Sequence, residues 1–239
     1  MSIQVALTIA HIGAGTVALI VAPIAMAVRK GGEAHRIWGW VFSWAMLVLC
    51  ASALGMLVFN PSIFLSLFSF YAVFSGVRAL RRKRPERGQR ATRLDFLGAA
   101  AALLAGLSFI AWGVLPLLPF TQSEVPVSFS LLGIVFGYFL TRMAWTDVRS
   151  FVTPDRDRNW WWYYHMERML AGYIAAFTAF TVQNVGPMLP EELQWTVWLA
   201  PGIVGGRLTQ WWTEHYRYKF ADRAKEGRKA VYSGVTAEK

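Results

Sequence analysis

Charge is scarce in this chain, and so is cysteine. Of 239 residues only 16% are charged, while 55% are hydrophobic and 15% aromatic. Soluble domains carry about 25% charged residues. The shortfall excludes an ordinary water-soluble core and points to an integral membrane protein. The one cysteine, Cys50, lies inside an apolar run, so no intrachain disulfide is available and the redox compartment is left unread. No positive charge precedes Arg29. A secretory signal carries its positive charge ahead of its apolar core. The stretch "APIAMA", which mimics a cleavage site, therefore reads as part of a retained first helix with its N-terminus outside. A CxxC pair, HExxH, GxSxG and a Gly-rich phosphate loop are also missing, and "GAG" at Gly13–Gly15 falls in the middle of an apolar segment.

What is present is a succession of apolar segments near or above the ~20 residues that cross a bilayer. They run roughly over 4–28, 36–59, 61–80, 95–118, 127–146, 163–186 and 194–213. In lipid each must pair its own backbone groups, so each is a helix. The expected fold is an all-α polytopic helical membrane bundle of seven transmembrane helices. Under this assignment all 24 Lys and Arg fall on the loops after the first, third and fifth segments, on the adjoining helix ends, or on the C-terminal segment. The opposite loops hold none. Positive loops face the cytoplasm, which puts the N-terminus outside and the C-terminus in the cytoplasm of a bacterial inner membrane. Residues 1–215 form the seven-helix domain and 216–239 a polar cytoplasmic tail, expected to fray from helix into disorder.

The net charge of +10 does not mark a nucleic-acid binder. The basic loop "RALRRKRPERGQR" enforces topology, lacks base-stacking aromatics, and meets anionic lipid headgroups. Trp160–Trp162, in "NWWWYYHMERM", fall where the sixth helix enters the membrane. With Trp38, Trp40, Trp145, Trp211 and Trp212 they are expected to form an interfacial belt.

Polar residues inside or beside the spans are the candidates for function. His35, His165 and His215 share the cytoplasmic-side level. Two of them, His35 and His165, suit the axial positions of a b-type haem. All three suit zinc, with Glu167 or Asp147 as general base on a metal-bound water. His11 sits within the first helix on a face shared with Gly15, Ala18, Ala22 and Ala25, where small residues let helices approach. His11, Gln183 and Arg207 suit the lining of a transport pathway or the bracing of a non-catalytic membrane partner. Arg207 either snorkels or pairs with Asp147, Glu167 or Asp95. Three readings stay open: a transporter-like or non-catalytic membrane protein, a single-haem redox protein, and a zinc-dependent membrane hydrolase.

"HIGAGTVALIVAP" followed by "AHRIWGW" resembles the bacterial multi-span membrane proteins grouped as domain of unknown function 2306. The residues that carry the likeness are His11, Gly15, Ala18, Leu19 and Pro23, then His35, Arg36 and Gly39, and later His165, Met169 and Tyr173. It covers the first 60 residues or so and, more loosely, the sixth helix. Ala22 stands where that pattern commonly has glycine, and Trp40 and Phe42 replace an arginine and a tyrosine. The resemblance implies membership without a defined activity. A second likeness is to the ascorbate-reducing transmembrane b-type cytochromes, which bind two haems with four histidines. Here it implies one cytoplasmic-side haem, because His11 has no histidine partner on the outer side.

Overall fold

The computed structural model of the chain describes residues 2–56, 62–121, 125–153 and 157–237. The chain is all-α, and no strand occurs among the described residues. Seven helices follow one another: α1 (Ile3–Ala27), α2 (Glu33–Gly55), α3 (Ser62–Ala79), α4 (Arg93–Val114), α5 (Val127–Val152), α6 (Trp160–Asn184) and α7 (Thr196–Ala237). They fall on the seven expected segments. The expected turn "FNPS" lies almost wholly outside the described residues.

Four of the helical segments are long and apolar enough to cross a membrane: Ile3–Ala27, Glu33–Gly55, Arg93–Leu117 and Val127–Val152. Their outward faces expose Ile12, Ile20, Leu97, Leu104 and Phe139, a surface that water would not tolerate over so many turns. α6 opens on His165, Glu167 and Arg168, and α7 runs into a polar segment, so neither reaches the same apolar character.

Local chemistry sets the helix ends. The hydroxyl of Ser2 accepts from Val5 N at 3.4 Å at the start of α1. α4 begins with a capping box in which Thr92 N donates to Asp95 Oδ2 at 2.7 Å. The tight turn from α1 to α2 uses Gly31 at φ 75°, a conformation that costs a residue with a Cβ.

The helices associate as close pairs, α1 with α2, α4 with α5, and α3 with α6, while α7 lies on α6. One core layer joins Ala18, Val21 and Ala22 of α1 to Phe42 and Met46 of α2, Val73 of α3 and Ala176 of α6. The small-residue face expected on α1 is thus the packed one. The α4–α5 contact depends on glycine. A Cβ on Gly137 would stand 2.7 Å from Gly106 O and 2.8 Å from Ile110 N, so the two backbones touch. Gly137→Leu is expected to destabilise the bundle by about 1–3 kcal/mol through overpacking, read as a lower thermal midpoint in detergent. Gly13→Ala, where nothing lies within 4 Å of the added carbon, is expected to keep or slightly raise the midpoint, because Ala favours helix over Gly.

Two stretches carry more structure than the sequence suggests. α7 continues without a break through residue 215 to Ala237, so the segment expected as a polar tail is helical over residues 216–237. The polar segment stays helical because it is rich in Ala, Lys, Arg and Glu, which favour helix, and holds no proline. The tryptophan run is also not simply a belt. Trp40, Trp145 and Trp211 are exposed, but Trp160 is buried. Lys83 sits over the Trp161 ring at 4.4 Å, and Trp162 packs on Tyr216 and Phe220 of α7 at 4.4 and 5.2 Å. The run ties α6 to the basic loop and to α7.

Candidate functional site

The last four carbonyls of a helix have no partner within it. Two histidines use such carbonyls at the same end of the bundle. His35, in the first turn of α2, has Nδ1 2.9 Å from Ala25 O at the end of α1. His165, in the second turn of α6, has Nδ1 3.0 Å from Gly76 O near the end of α3. The Lys30 ammonium completes the α1 terminus by donating to Ala25 O and Met26 O. Partial burial draws that ammonium below its ordinary range.

An imidazole whose Nδ1 faces a carbonyl carries its proton there. Its Nε2 is then left as a bare lone pair. The two rings lie 6.4 Å apart, centre to centre, with their planes at 80°. His35 and His165 would hold a metal or haem iron through those two Nε2 nitrogens. The sequence expectation that His35 and His165 share one level therefore ends in a ring contact.

His215 does not join them. It is exposed on α7, its ring stacked on Trp211 at 6.1 Å and edge-on to Tyr216 at 5.6 Å. The rotation of α7 is fixed by Tyr216 and Phe220 against Trp162, which leaves the residue before Tyr216 facing outward. Among the described residues no group of three or more His, Cys, Asp or Glu is placed to hold a metal ion. Of the three expected histidines, the structure brings His35 and His165 together and leaves His215 apart.

The proposed general bases fare no better. Asp147 has a fully buried side chain. One oxygen accepts from Arg168 at 2.6 Å and the other from the Tyr71 hydroxyl at 2.6 Å. Arg168 also donates to Met143 O and Thr146 Oγ1, each at 3.2 Å, and lies 4.6 Å over the Tyr164 ring. This carboxylate braces α3, α5 and α6 and is not free to take a proton from water. Glu167, two positions past His165, points round the helix and lines an α6–α7 cleft of about 440 Å³ with Thr213 and Arg217.

The arginines redistribute the expected pairs. Arg207 is exposed and forms no ion pair with Asp147, Glu167 or Asp95 among the described residues. Asp95 belongs to Arg78, which meets it with two bonds of 2.8 and 2.6 Å and also reaches Thr92 at 2.7 Å. Both buried pairs escape a reading of the sequence. Arg78 hides in a run of basic residues, and Arg168 counts there only towards the positive side of the membrane.

At the other end of the bundle a second cavity, of about 580 Å³, lies between α1, α2, α3 and α6. Its polar lining is His11, Thr16, Ser66, Ser69, Gln183 and Asn184. His11 Nδ1 lies 3.1 Å from Leu49 O and 3.2 Å from Ser52 Oγ, joining α1 to α2. His11 and Gln183 thus do meet one cavity, whereas Arg207 is not part of it. His11 and Ala25 are separated by roughly 21 Å along α1. The packed layer of Val21, Phe42, Met46, Val73 and Ala176 lies in the interval between them.

Comparison of the chain with family models, with curated proteins and with solved structures found no match.

Proposed function

We propose that this chain is a seven-span protein of a bacterial cytoplasmic membrane, N-terminus outside and C-terminus in the cytoplasm, that carries one b-type haem between His35 and His165 and serves one-electron transfer. The observation that carries the reading is the histidine pair: crossed rings 6.4 Å apart, each anchored through Nδ1 to a backbone carbonyl. Such anchoring fixes the ring and raises its basicity as a ligand.

The number of ligands favours haem over zinc. A catalytic zinc needs about three protein ligands, whereas a haem iron already has four nitrogens from its macrocycle and takes two more from the protein. Gly39, one turn beyond His35, has nothing within 4 Å of where a Cβ would stand, which leaves room beside that imidazole. Met26, Trp38, Met169 and Tyr173 pack on the adjoining core layer and supply apolar walls. When bound, the group would supply reversible one-electron chemistry. The chain's own part is to ligate it, exclude water from it and insulate it from the opposite surface.

The reading is tested on full-length protein made in cells supplied with haem precursor and purified in mild detergent. A Soret band that shifts on reduction, with iron near one per chain, is expected. A colourless, iron-free preparation would falsify it and leave the pair as a clasp between helices.

The cavity lined by His11 and Gln183 supports a second reading, passage or capture of a small polar solute from the outer side, and this is the reading that a colourless protein would favour.

The charge distribution supports the topology, because every Lys and Arg falls on one set of loops and the adjoining helix ends. On that topology the partners are the bilayer and its anionic headgroups, and no nucleic acid. A membrane-impermeant maleimide is expected to label Glu191→Cys in intact spheroplasts and Arg87→Cys only after lysis. The native Cys50 is buried and contributes little background.

A further inference from the structure

The buried charges at the basic end do not balance. Among the described residues Arg78, Arg82 and Arg168 are buried there with two buried carboxylates, Asp95 and Asp147. Those carboxylates are taken by Arg78 and Arg168. Arg82 is only 4% exposed and has no carboxylate partner among the described residues. Its guanidinium donates one bond to Ser150 Oγ at 3.3 Å and lies over the rings of Phe151 at 4.4 Å and Trp160 at 5.7 Å. Among the described residues its Nε–H has no acceptor, and neither has the indole N–H of Trp160, itself 9% exposed. Two buried donors without acceptors are costly, and an unpaired buried cation more so.

Both residues line a single cavity of about 380 Å³, together with Gln89, Arg90, Ser150 and Phe151. No acidic residue lines it among the described residues. The position of its rim is built in. Arg78 holds Thr92 and Asp95 at the start of α4, and Gln89 accepts from Arg84 N at 3.0 Å, so the basic loop is folded back over Arg82.

The geometry points to a phosphate-binding site in this cavity, with Arg82, Arg90 and Trp160 as its donors. An anion there supplies the missing counter-charge and the missing acceptors together, and guanidinium suits phosphate geometry. Phosphate reaches such a site either as a lipid headgroup or as a soluble ion or ester. The site is independent of the histidine pair, so it stands or falls separately from the haem.

The test is calorimetric titration of the full-length protein in neutral detergent with three probes: dioctanoyl phosphatidylglycerol, inorganic phosphate, and dioctanoylglycerol, which lacks phosphate. Saturable binding of one of the phosphate probes is expected, and none of dioctanoylglycerol. Binding of the phospholipid alone identifies a headgroup site, and comparable binding of inorganic phosphate identifies a soluble ligand. Arg82→Lys and Arg90→Gln are each expected to weaken binding about 10-fold, the loss of a charge-assisted hydrogen bond. Trp160→Phe keeps the ring packing, removes only the N–H, and is expected to weaken it about 5-fold. Arg87→Gln, exposed and outside the cavity wall, should change nothing. Should Arg82→Lys fail to fold, Trp160→Phe decides. The proposal is overturned if neither phosphate probe saturates, if dioctanoylglycerol binds equally well, if Trp160→Phe binds as the native chain does, or if Arg87→Gln weakens binding as much as Arg90→Gln.

Discussion

Alanine at His165 is expected to remove most of the Soret band and shift what remains, while His215→Ala leaves it at full intensity. A haem held by two imidazoles and apolar walls loses half its protein ligation when one ring is removed. His215, exposed and stacked on Trp211, has no part in that ligation. His35→Ala should behave as His165→Ala does. The structural role of the ring makes its own, separable demand. Losing the bond to Gly76 O costs on the order of 1 kcal/mol of stability, which lowers the thermal midpoint whether or not haem is present. The spectrum therefore reports ligation, and the midpoint reports the clasp. His165→Met sharpens the distinction. It removes the same carbonyl bond but returns a thioether ligand, so a band at raised reduction potential is expected. A variant that is folded, monodisperse and still fully coloured after His165→Ala would sink the assignment.

The second large effect is on stability. Asp147→Ala is expected to cost about 3–5 kcal/mol, because it leaves the buried Arg168 guanidinium without its carboxylate. The Tyr71 hydroxyl loses its acceptor in the same stroke. The double variant Asp147→Leu with Arg168→Met removes both charges and should recover most of the loss, since apolar replacements of a whole buried pair are often neutral or better. The measurement is the thermal midpoint and the monodisperse fraction of the four proteins of the cycle. Additive losses, with the double variant as unstable as the sum of the singles, would show that the pair does not act as a unit. Tyr71→Phe is expected to cost less than Asp147→Ala, because Arg168 still neutralises the carboxylate.

These residues show how far the sequence was legible. Helix positions could be read because lipid forces the backbone into helices and apolar runs mark them. The shared level of His35 and His165 followed from each standing near the start of a helix at the basic end. Their contact needed more, namely that α2 and α6 turn those faces towards the same spot. The rotation of a helix about its own axis is set by its neighbours. That is why His215, at a similar level, points away. The pairing of Asp147 with Arg168, and not with Arg207, depends on the placing of α5 and α6 against α3, whose Tyr71 reaches the same carboxylate. Nothing in the order of residues along the chain specifies that placing. Arg82 is the extreme case. One buried arginine among many exposed basic neighbours carries no local mark of its burial.

The length of α7 has a mechanical side. Its 42 residues span roughly 63 Å. The aromatic grip of Trp162 and Tyr163 on Tyr216 and Phe220 holds it close to its midpoint. The half of the helix before that grip is not free: a Cβ on Gly205 would stand 2.6 Å from the Ile174 side chain, and Trp198 is buried with Leu65, Leu132 and Ala175. Trp198 also rests edge-on against Phe129 of α5 at 6.2 Å. α7 is thus clamped along its N-terminal half, and a load on its C-terminal end is borne first by the aromatic grip of Trp162 and Tyr163.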